Sequence, residues 1–221
     1  MVITRAEIRK LAEERIRRGD STGWFEELYR RAEGNPNAIP WADLEPNSNL
    51  VSWAERTGLA GVGRLALKVG CGLGDDAEEL SRRGFEVTAF DIAPTAIDWC
   101  QRRFPESRVD YQIADLFDPP ESWVGRFDFV LESYTLQSFL PELRPRAMRQ
   151  VVRLVAPGGA LLVICRGREQ GETPEGVWPV PLSREELGRF QELGLEEAAF
   201  EDLLDNETPP VRRFRALYFR P

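Results

Sequence analysis

The sequence predicts an α/β fold in which a doubly wound, mostly parallel β-sheet is covered by helices on both faces. Three observations support this fold class. From residue 65 onward, short apolar runs alternate with helical patterns, as in parallel sheets with right-handed crossovers. A loop with three alternating glycines, VGCGLG, follows the first apolar run. Acidic residues end the next two runs, at Asp91 and Asp115, where open α/β sheets bind their ligands.

Two helices and an ordered loop are predicted ahead of the sheet. Residues 4–7, TRAE, form a capping box, and apolar residues then recur at helical spacing up to Gly19. The second helix, predicted over 22–33, has a largely aromatic apolar face formed by Trp24, Phe25, Leu28 and Tyr29. The two helices either pack on the domain or form a lid over its cleft. Residues 35–49 contain helix breakers and predict an ordered loop, and a helix over 49–57 follows.

The remaining elements are predicted from residue 65 onward. Strands are expected at 65–69, 86–90, 109–114, 127–131, 160–165, 195–203 and 211–219. Helices are expected after Gly74 and over 95–104, 143–155 and 183–193, with a Pro-Gly-Gly turn at 157–159. The arginines at 212–215 are expected to protect an edge strand. We predict one domain over 1–221, with N-terminal helices and a covering loop in 1–60 and the core in 61–221.

The glycine loop indicates which ligand the sheet binds. A dinucleotide site needs G-x-G-x-x-G and a free helix N-terminus for the pyrophosphate. Here the spacing is G-x-G-x-G, and Asp75 and Asp76 follow it, where they would repel a pyrophosphate. This disfavours an NAD-dependent oxidoreductase and favours a nucleoside without phosphate. Asp91 can accept both ribose hydroxyls and Asp115 the amino edge of an adenine, and this pair describes S-adenosylmethionine.

These motifs resemble those of the class I S-adenosylmethionine-dependent methyltransferases. Within that class, the chain resembles the branch of thiopurine, thiol and halide methyltransferases, through IPWADLEPN, VGCGLGDDAEEL, GFEVTAFDIAPTAI, ADLFD, RFDFVLESYTLQSF and LRPRAMRQVVRLVAPGGALLVI. The resemblance implies a Rossmann-like, seven-stranded sheet in which a C-terminal hairpin supplies one antiparallel strand. It also implies S-adenosyl-L-methionine as cofactor and S-adenosyl-L-homocysteine as product.

The resemblance further implies which residues hold the cofactor. Gly70, Cys71 and Gly72 would contact its methionine portion through their backbone, Asp91 its ribose and Asp115 its adenine. Trp41 of the covering loop would lie against the cofactor, and simple packing is the alternative. The full set of expected cofactor contacts is Trp41, Gly70, Cys71, Gly72, Asp91, Ile92, Asp115, Leu116 and Glu132.

Residues after the fourth and fifth strands are the candidates for catalysis and acceptor binding. Glu132 ends the fourth strand at the carboxyl edge of the sheet, where it could bind the cofactor's ammonium, meet the substrate or be a simple loop acid. Glu132 and Tyr134 are the predicted catalytic residues. The predicted acceptor pocket is formed by Tyr134, Gln137, Arg166 and Trp178.

Lys68 departs from the family pattern. It stands just before the glycine loop, where this class usually has an acid and the thiopurine-like branch an apolar residue. A buried lysine is costly unless it is paired or reaches water, and Asp91 or Glu132 could pair with it. We hypothesise that Lys68 weakens S-adenosylmethionine binding or marks an altered protein. Unchanged affinity in Lys68→Val would remove that idea.

Composition limits the partners. The formal net charge is −8 and the pI is near 4.9, so nucleic acid and anionic membranes would repel the chain. Three separated cysteines and no histidine leave no metal-ligand set, and reduced, buried thiols are expected. We therefore expect a cytoplasmic monomer whose partner is a small methyl acceptor.

The absence of histidine also removes the commonest general base. A thiolate or halide needs no base, because the cofactor supplies an activated methyl group for direct displacement. The predicted function is therefore S-adenosylmethionine-dependent methyl transfer to a small molecule, with a sulfur or halide nucleophile favoured. The alternative is a catalytically impaired protein that binds S-adenosylmethionine or S-adenosylhomocysteine, for which Lys68 is the only support in the sequence.

Overall fold

The computed structural model describes residues 4–172 and 179–221. The helices in these ranges are α1 (Arg5–Arg17), α2 (Gly23–Arg31), α3 (Ser48–Thr57), α4 (Asp75–Arg82), α5 (Pro94–Arg103), α6 (Arg144–Leu154) and α7 (Arg184–Glu192). The strands are β1 (Leu65–Val69), β2 (Glu86–Asp91), β3 (Asp110–Ile113), β4 (Phe127–Ser133), β5 (Val155–Arg168), β6 (Leu182–Ser183), β7 (Glu196–Leu204) and β8 (Arg212–Phe219). None of these helices has an apolar stretch long enough to cross a bilayer.

The strands form one mixed sheet with the order β3-β2-β1-β4-β5-β8-β7, and the two-residue β6 pairs with β5. β1 is parallel to β2 and β4, whereas β8 is antiparallel to both of its neighbours. The predicted Rossmann-like sheet with one antiparallel strand is therefore confirmed, and β6 is an addition to it. The strand order reverses between β1 and β4, so a crevice opens at the carboxyl ends of these two strands.

Apolar side chains fill both faces of the central strands. Leu67 and Val69 of β1 join a cluster with α6 and α7, whereas Ala66 joins one with α3, α4 and α5. All three side chains are fully buried. Near-continuous apolar runs of this kind are typical of parallel strands that are covered on both sides. Because helices cover both faces, the carboxyl ends of the strands are the edge at which polar side chains can meet a ligand.

The N-terminal helices pack against the domain through a third apolar cluster. The predicted capping box of α1 is present. Trp24 and Tyr29 of α2 are buried in one cluster with Leu73, which lies within the glycine loop, and Trp99 of α5. The aromatic face predicted for the second helix is therefore a packing surface. Phe25 and Tyr29 also border the cleft described below, so packing and covering are not exclusive.

A polar contact also fixes α2 to α5. The Glu26 carboxylate accepts hydrogen bonds from the Thr95 backbone N–H (3.0 Å) and from its hydroxyl (2.7 Å). The N-cap residue of α5 is Ala93, which has no side-chain acceptor to offer. A carboxylate at this position satisfies a free N–H group and interacts favourably with the helix dipole. Glu26 therefore caps α5 from a neighbouring helix.

The turn predicted at 157–159 lies inside a strand. β5 begins at Val155, which pairs with Phe127, rather than at residue 160. Beyond that pair, the N–H of Gly158 donates to the Arg220 carbonyl (2.8 Å) and the N–H of Arg220 to the Gly159 carbonyl (2.9 Å). These hydrogen bonds with the chain end after β8 extend the ladder through the glycines, which the sequence pattern alone identifies as a break.

The prediction that the arginines at 212–215 protect an edge strand is wrong. β8 lies inside the sheet, because β7 covers its outer side. Arg215 is buried and pairs with Glu201 of β7 (2.6 Å). Arg213 is likewise buried and pairs with Asp205 (2.6 Å). The basic residues of this strand therefore serve internal ion pairs across the β7–β8 hairpin.

Removing the Glu26 carboxylate tests how the N-terminal helices are held. We expect Glu26→Ala to loosen α2 and the first turn of α5, because Thr95 loses an N-cap acceptor that is typically worth about 1 kcal/mol. Amide hydrogen exchange followed by mass spectrometry would report faster exchange in both segments. Glu13→Ala, which removes an exposed carboxylate from α1, is the matched control. Equal exchange in Glu26→Ala and wild type would contradict this role.

Candidate active site

A cavity of about 510 Å³ opens at the carboxyl ends of β1, β2 and β4. Its wall is built by the glycine loop, the β2–α5 turn, the segments after β3 and β4, helix α2 and the loop that follows α2. Residues of the wall include Phe25, Tyr29, Trp41, Asp43, Lys68, Gly70, Cys71, Gly72, Asp91, Ile92, Asp115, Leu116, Tyr134, Thr135, Gln137, Phe139, Arg166 and Arg213.

The glycines are required by the backbone and by close packing. Gly70, Gly72 and Gly74 have φ angles of +56°, +56° and +94°, a region that L side chains avoid. A Cβ on Gly70 would lie 2.4 Å from the Thr135 hydroxyl oxygen, and one on Gly74 would lie 2.5 Å from the Tyr111 hydroxyl oxygen. The loop therefore presents bare backbone to the cavity and is clamped from behind by two hydroxyl groups.

Asp91 joins the glycine loop to the end of β2. Its carboxylate accepts hydrogen bonds from the N–H of Gly72 (2.9 Å) and the N–H of Ala93 (3.0 Å). Burial raises the pKa of this carboxyl, and the two backbone hydrogen bonds act against that rise. Each carboxylate oxygen can accept a further hydrogen bond, so Asp91 has capacity left for a diol in the cavity.

Asp115 and Leu116 follow β3 and reach the same wall. The Asp115 carboxylate accepts the N–H of Phe117 (2.8 Å), which fixes its orientation. On the opposite side, the Trp41 indole N–H donates to the Tyr29 hydroxyl (3.1 Å). Among the expected cofactor contacts, eight lie in the cavity wall: Trp41, Gly70, Cys71, Gly72, Asp91, Ile92, Asp115 and Leu116.

Glu132 is the exception among the expected cofactor contacts. It is fully buried, and it is not among the described residues that line the cavity. One carboxylate oxygen accepts the N–H groups of Thr135 (2.7 Å) and Leu136 (2.9 Å), while the other has no hydrogen-bond partner within the described ranges. Burial raises the pKa of this carboxyl to about 7. The role of Glu132 at the cofactor or substrate therefore stays a prediction, and its observed contacts hold the segment that places Thr135 against Gly70.

Tyr134 lies in the wall with an unusual backbone. Its φ is +65°, and the guanidinium of Arg213 lies 4.9 Å from the centre of its ring. Burial raises the pKa of the phenol, and the charge of Arg213 opposes the rise. The hydroxyl therefore stays protonated at neutral pH, so it can donate a hydrogen bond to a ligand but is a poor general base.

Two of the other predicted acceptor residues, Gln137 and Arg166, line the same cavity as Tyr134. Gln137 is buried, and its side-chain oxygen accepts the N–H of Arg166 (2.7 Å). The guanidinium of Arg166 lies 3.9 Å from the Glu207 carboxylate. Trp178 lies outside the described residues.

Sequence reasoning missed several residues of the wall. Thr135 and Phe139 follow the predicted Tyr134 closely, and Phe25 was predicted only as part of a helix face. Arg213 reaches the cavity because it pairs with Arg166 in the antiparallel β5–β8 ladder. The register of that ladder could not be read from the sequence, since it depends on β8 entering between β5 and β7.

The pairing expected for Lys68 is not seen. Its ammonium donates to the carbonyl oxygens of Val69 (2.7 Å) and Gly70 (3.1 Å). The ion pairs found among the described residues, with nitrogen and oxygen within 4.0 Å, do not include Lys68 with Asp91 or Glu132. Burial raises the pKa of both carboxyl groups, and the charge of Lys68 opposes that rise. Lys68 is only 2% exposed and borders the cavity.

The wall suits a nucleoside ligand without a diphosphate. Asp75 and Asp76 line the cavity in the first turn of α4, which is the position that a pyrophosphate needs. Asp75 is held by two hydrogen bonds from Arg103 (2.7 Å each). Asp76 accepts the N–H of Asn47 (2.8 Å) and the hydroxyl of Ser133 (2.5 Å). Both carboxylates are therefore fixed at the position that a pyrophosphate would occupy, which disfavours a dinucleotide there.

Residues 67–163, from β1 into β5, match the family described as "Methyltransferase domain". The 2-heptyl-1-hydroxyquinolin-4(1H)-one methyltransferase of Mycobacteroides abscessus is 29% identical over 74% of this chain and 72% of that protein. The chain carries a class I S-adenosylmethionine-dependent methyltransferase domain. The predicted class and its cofactor, S-adenosyl-L-methionine, are confirmed, and the thiopurine, thiol and halide branch stays a prediction.

Two other relatives align with parts of the methyltransferase domain. The magnesium-protoporphyrin O-methyltransferase of Rhodobacter capsulatus is 34% identical over 44% of this chain, and the match spans 47% of that protein. The probable thiol methyltransferase 2 of Arabidopsis thaliana is 27% identical over 68% of this chain and 64% of that protein. The chain thus spans about half of the first of these proteins.

Solved structures confirm the fold of the methyltransferase domain. The N-methyltransferase NodS from Bradyrhizobium japonicum, in complex with S-adenosyl-L-homocysteine, superimposes with a TM-score of 0.68. The alignment covers 89% of this chain and 98% of that chain at 18% sequence identity. At this identity the likeness supports the Rossmann-like architecture and does not identify an acceptor.

A methyl group placed between Gly70 and Thr135 should weaken cofactor binding. We expect Gly70→Ala to reduce the affinity for S-adenosylhomocysteine at least about tenfold, because the methyl group forces the loop away from Thr135. Isothermal titration calorimetry would measure the loss. Gly63→Ala introduces a similar positive-φ strain at an exposed position with open space around it, and should bind normally. A similar loss of affinity in both variants would show that general destabilisation is the cause.

Glu132 should make stability pH-dependent. Its pKa is raised in the folded state, from an ordinary value of 4.5 to about 7, so folding favours the protonated acid. The corresponding stabilisation is present below about pH 4.5 and is lost as the pH rises through about 7, by about 1.4 kcal/mol per unit of pKa shift. Urea denaturation should show a smaller loss between about pH 5 and about pH 8 in Glu132→Gln than in wild type. The exposed Glu121→Gln is the control, and parallel profiles for wild type and Glu132→Gln would exclude this titration.

Proposed function

We propose that this protein transfers the methyl group of S-adenosyl-L-methionine to a sulfur or halide nucleophile of small size, by direct displacement. The observation that carries the proposal is the chemistry of the cavity wall beyond the expected cofactor contacts. There, Phe25 and Phe139 supply aromatic surface, with their ring centres 6.4 Å apart, and Phe25 lies 6.5 Å from the ring of Trp41, which is itself an expected cofactor contact. This surface suits a small apolar acceptor.

Within the described residues, the wall has carboxylates such as Asp43 and Glu207, but neither a histidine nor an ionised tyrosine that could take a tightly held proton from an acceptor. The chain has no histidine, Glu132 lies outside the wall, and burial keeps the Tyr134 phenol protonated. A thiol has a pKa of about 8.5, so part of it is already ionised at neutral pH. A sulfur nucleophile therefore fits the groups that are present better than an alcohol does.

Of the two predicted nucleophiles, sulfur fits better than halide. Asp43 and Glu207 both reach the cavity wall near Arg166 and Arg213. Burial, together with the nearby Glu207 charge, raises the pKa of Asp43, which indicates an acidic surrounding. A halide is an anion at every pH, whereas a thiol can reach this surrounding neutral and release its proton to solvent water before its sulfur attacks the methyl group.

In this proposal the chain acts by positioning. The bound cofactor supplies an electrophilic methyl group on a sulfonium. Gly70, Cys71 and Gly72 hold one end of the site through their backbone, and Asp91 holds the ribose. Tyr134 and the aromatic surface orient the acceptor and exclude water. Positioning of this kind can lower a reaction barrier by roughly 7–11 kcal/mol.

We also propose that the protein works as a monomer in the cytoplasm without a nucleic-acid or membrane partner. Cys71, Cys100 and Cys165 are free and buried, which supports a reducing compartment. The formal charge of −8 would oppose polyanionic partners.

A second candidate is a catalytically impaired protein that binds the cofactor. The buried, positively charged Lys68 in the cavity wall supports it. Under this candidate, S-adenosylmethionine and S-adenosylhomocysteine would bind, and no acceptor would turn over.

The proposal is tested by supplying S-adenosylmethionine with a panel of thiols, phenols, amines and iodide, and measuring S-adenosylhomocysteine formation. We expect aromatic and aliphatic thiols to react, thiols to outperform iodide, and phenols of matched shape to react at least about tenfold more slowly. Because the proposed positioning mechanism uses no enzyme base, kcat/KM should rise with the ionisation of the acceptor itself. The pH range over which kcat/KM rises should therefore move to lower pH when an aliphatic thiol is replaced by a more acidic aromatic one.

Other results would point elsewhere. A rise of kcat/KM at the same pH for all acceptors would indicate an enzyme base and contradict the positioning mechanism. Faster methylation of phenols or amines would reject sulfur as the acceptor. Cofactor binding without turnover of any acceptor would favour the second candidate.

A further inference from the structure

Lys68 stands out by residue type and by place. The chain has 29 basic residues, and only Lys10 and Lys68 among them are lysine. Lys10 is exposed on α1. Lys68 is 2% exposed and borders the cavity. It lies near the end of β1, just before the glycine loop. A chain that uses arginine almost everywhere therefore has a lysine at the base of its candidate active site.

The contacts of Lys68 are incomplete. Its ammonium donates to two carbonyl oxygens, of Val69 and Gly70, and no carboxylate in the described ranges lies within ion-pair distance. An ammonium has three donors, so one remains for a group in the cavity. A buried charge is costly without a counter-ion, and Asp91 and Glu132 compensate it only from a distance. A short-range anion is what this position lacks.

The carbonyl contacts also decide which end of a zwitterionic ligand fits. The oxygens of Val69 and Gly70 are already occupied by an ammonium, so a ligand ammonium placed there would meet a like charge and lose its acceptors. A carboxylate would instead gain a charge-assisted hydrogen bond, which is among the stronger polar contacts in proteins. The geometry of lysine suits this task, because its tetrahedral donors can bind two carbonyls and a third acceptor at once.

We infer that Lys68 binds the carboxylate of the amino-acid tail of the cofactor and thereby fixes the position of that tail against the glycine loop. The inference rests on the proposed function, since it requires S-adenosylmethionine in this cavity. In this inference Lys68 strengthens cofactor binding, whereas in the hypothesis drawn from the sequence it weakens cofactor binding. The occupied carbonyl oxygens and the third donor of the ammonium favour the binding of a carboxylate.

Three adenosine ligands separate the tail contacts. S-adenosylhomocysteine carries both tail charges, its decarboxylated analogue keeps only the ammonium, and 5′-methylthioadenosine has neither. All three have a neutral sulfur, so the sulfonium charge does not contribute. We expect wild type to bind S-adenosylhomocysteine at least about tenfold more tightly than the decarboxylated analogue, as a charge-assisted hydrogen bond predicts. Lys68→Met should remove that difference and leave 5′-methylthioadenosine binding unchanged.

Lys10→Met removes the other lysine and should bind all three ligands like wild type. Lys68→Gln, which keeps a neutral donor, should show an intermediate loss, and thermal unfolding identifies a variant that fails to fold. Equal binding of S-adenosylhomocysteine and its decarboxylated analogue by wild type overturns the inference without any variant. Tighter binding of S-adenosylhomocysteine by Lys68→Met also overturns it and supports the sequence-based hypothesis. Failure of all three ligands to bind wild type would reject the proposed cofactor site itself.

Discussion

The candidate site depends on the close approach of the glycine loop to the segment after β4. Gly70 lies so near the Thr135 hydroxyl that a methyl group would not fit between them. The same hydroxyl donates to the Val69 carbonyl (3.1 Å), and Asp91 holds the other side of the loop through the N–H of Gly72. The carboxyl ends of β1, β2 and β4 are thus joined by short polar contacts, and the cavity takes its shape from them.

Buried groups in and behind the cavity wall maintain this arrangement. Glu132 is removed from the wall, yet its carboxylate fixes Thr135 and Leu136. Tyr29 of α2 links the N-terminal helices to the site, because it accepts the Trp41 indole N–H and its hydroxyl oxygen lies 3.5 Å from where a Cβ of Gly72 would be. The domain therefore positions its ligand contacts through supporting side chains such as Glu132, and helix α2 both supports the wall and forms part of it.

Sequence reasoning located the backbone positions of the site better than the directions of its side chains. The glycine spacing and the acids after β2 and β3 follow local rules of strand ends, so the positions of Gly70, Asp91 and Asp115 in the wall could be predicted. The side chain of Glu132 follows an equally regular strand end, but it turns into the protein to satisfy backbone N–H groups. The place of Arg213 depends on the register between β5 and β8, which are far apart in sequence, and no local pattern encodes it.

The position of β8 has a consequence for how the chain folds as it is synthesised. β7 is made before β8, but it contacts the rest of the sheet only through β8, which separates it from β5. On the ribosome, β7 must therefore wait as an unpaired strand until β8 emerges and inserts. Arg213 enters the cavity wall in that same step, so the acceptor side of the cavity is completed only after the glycine loop and the β2–α5 turn can already be in place.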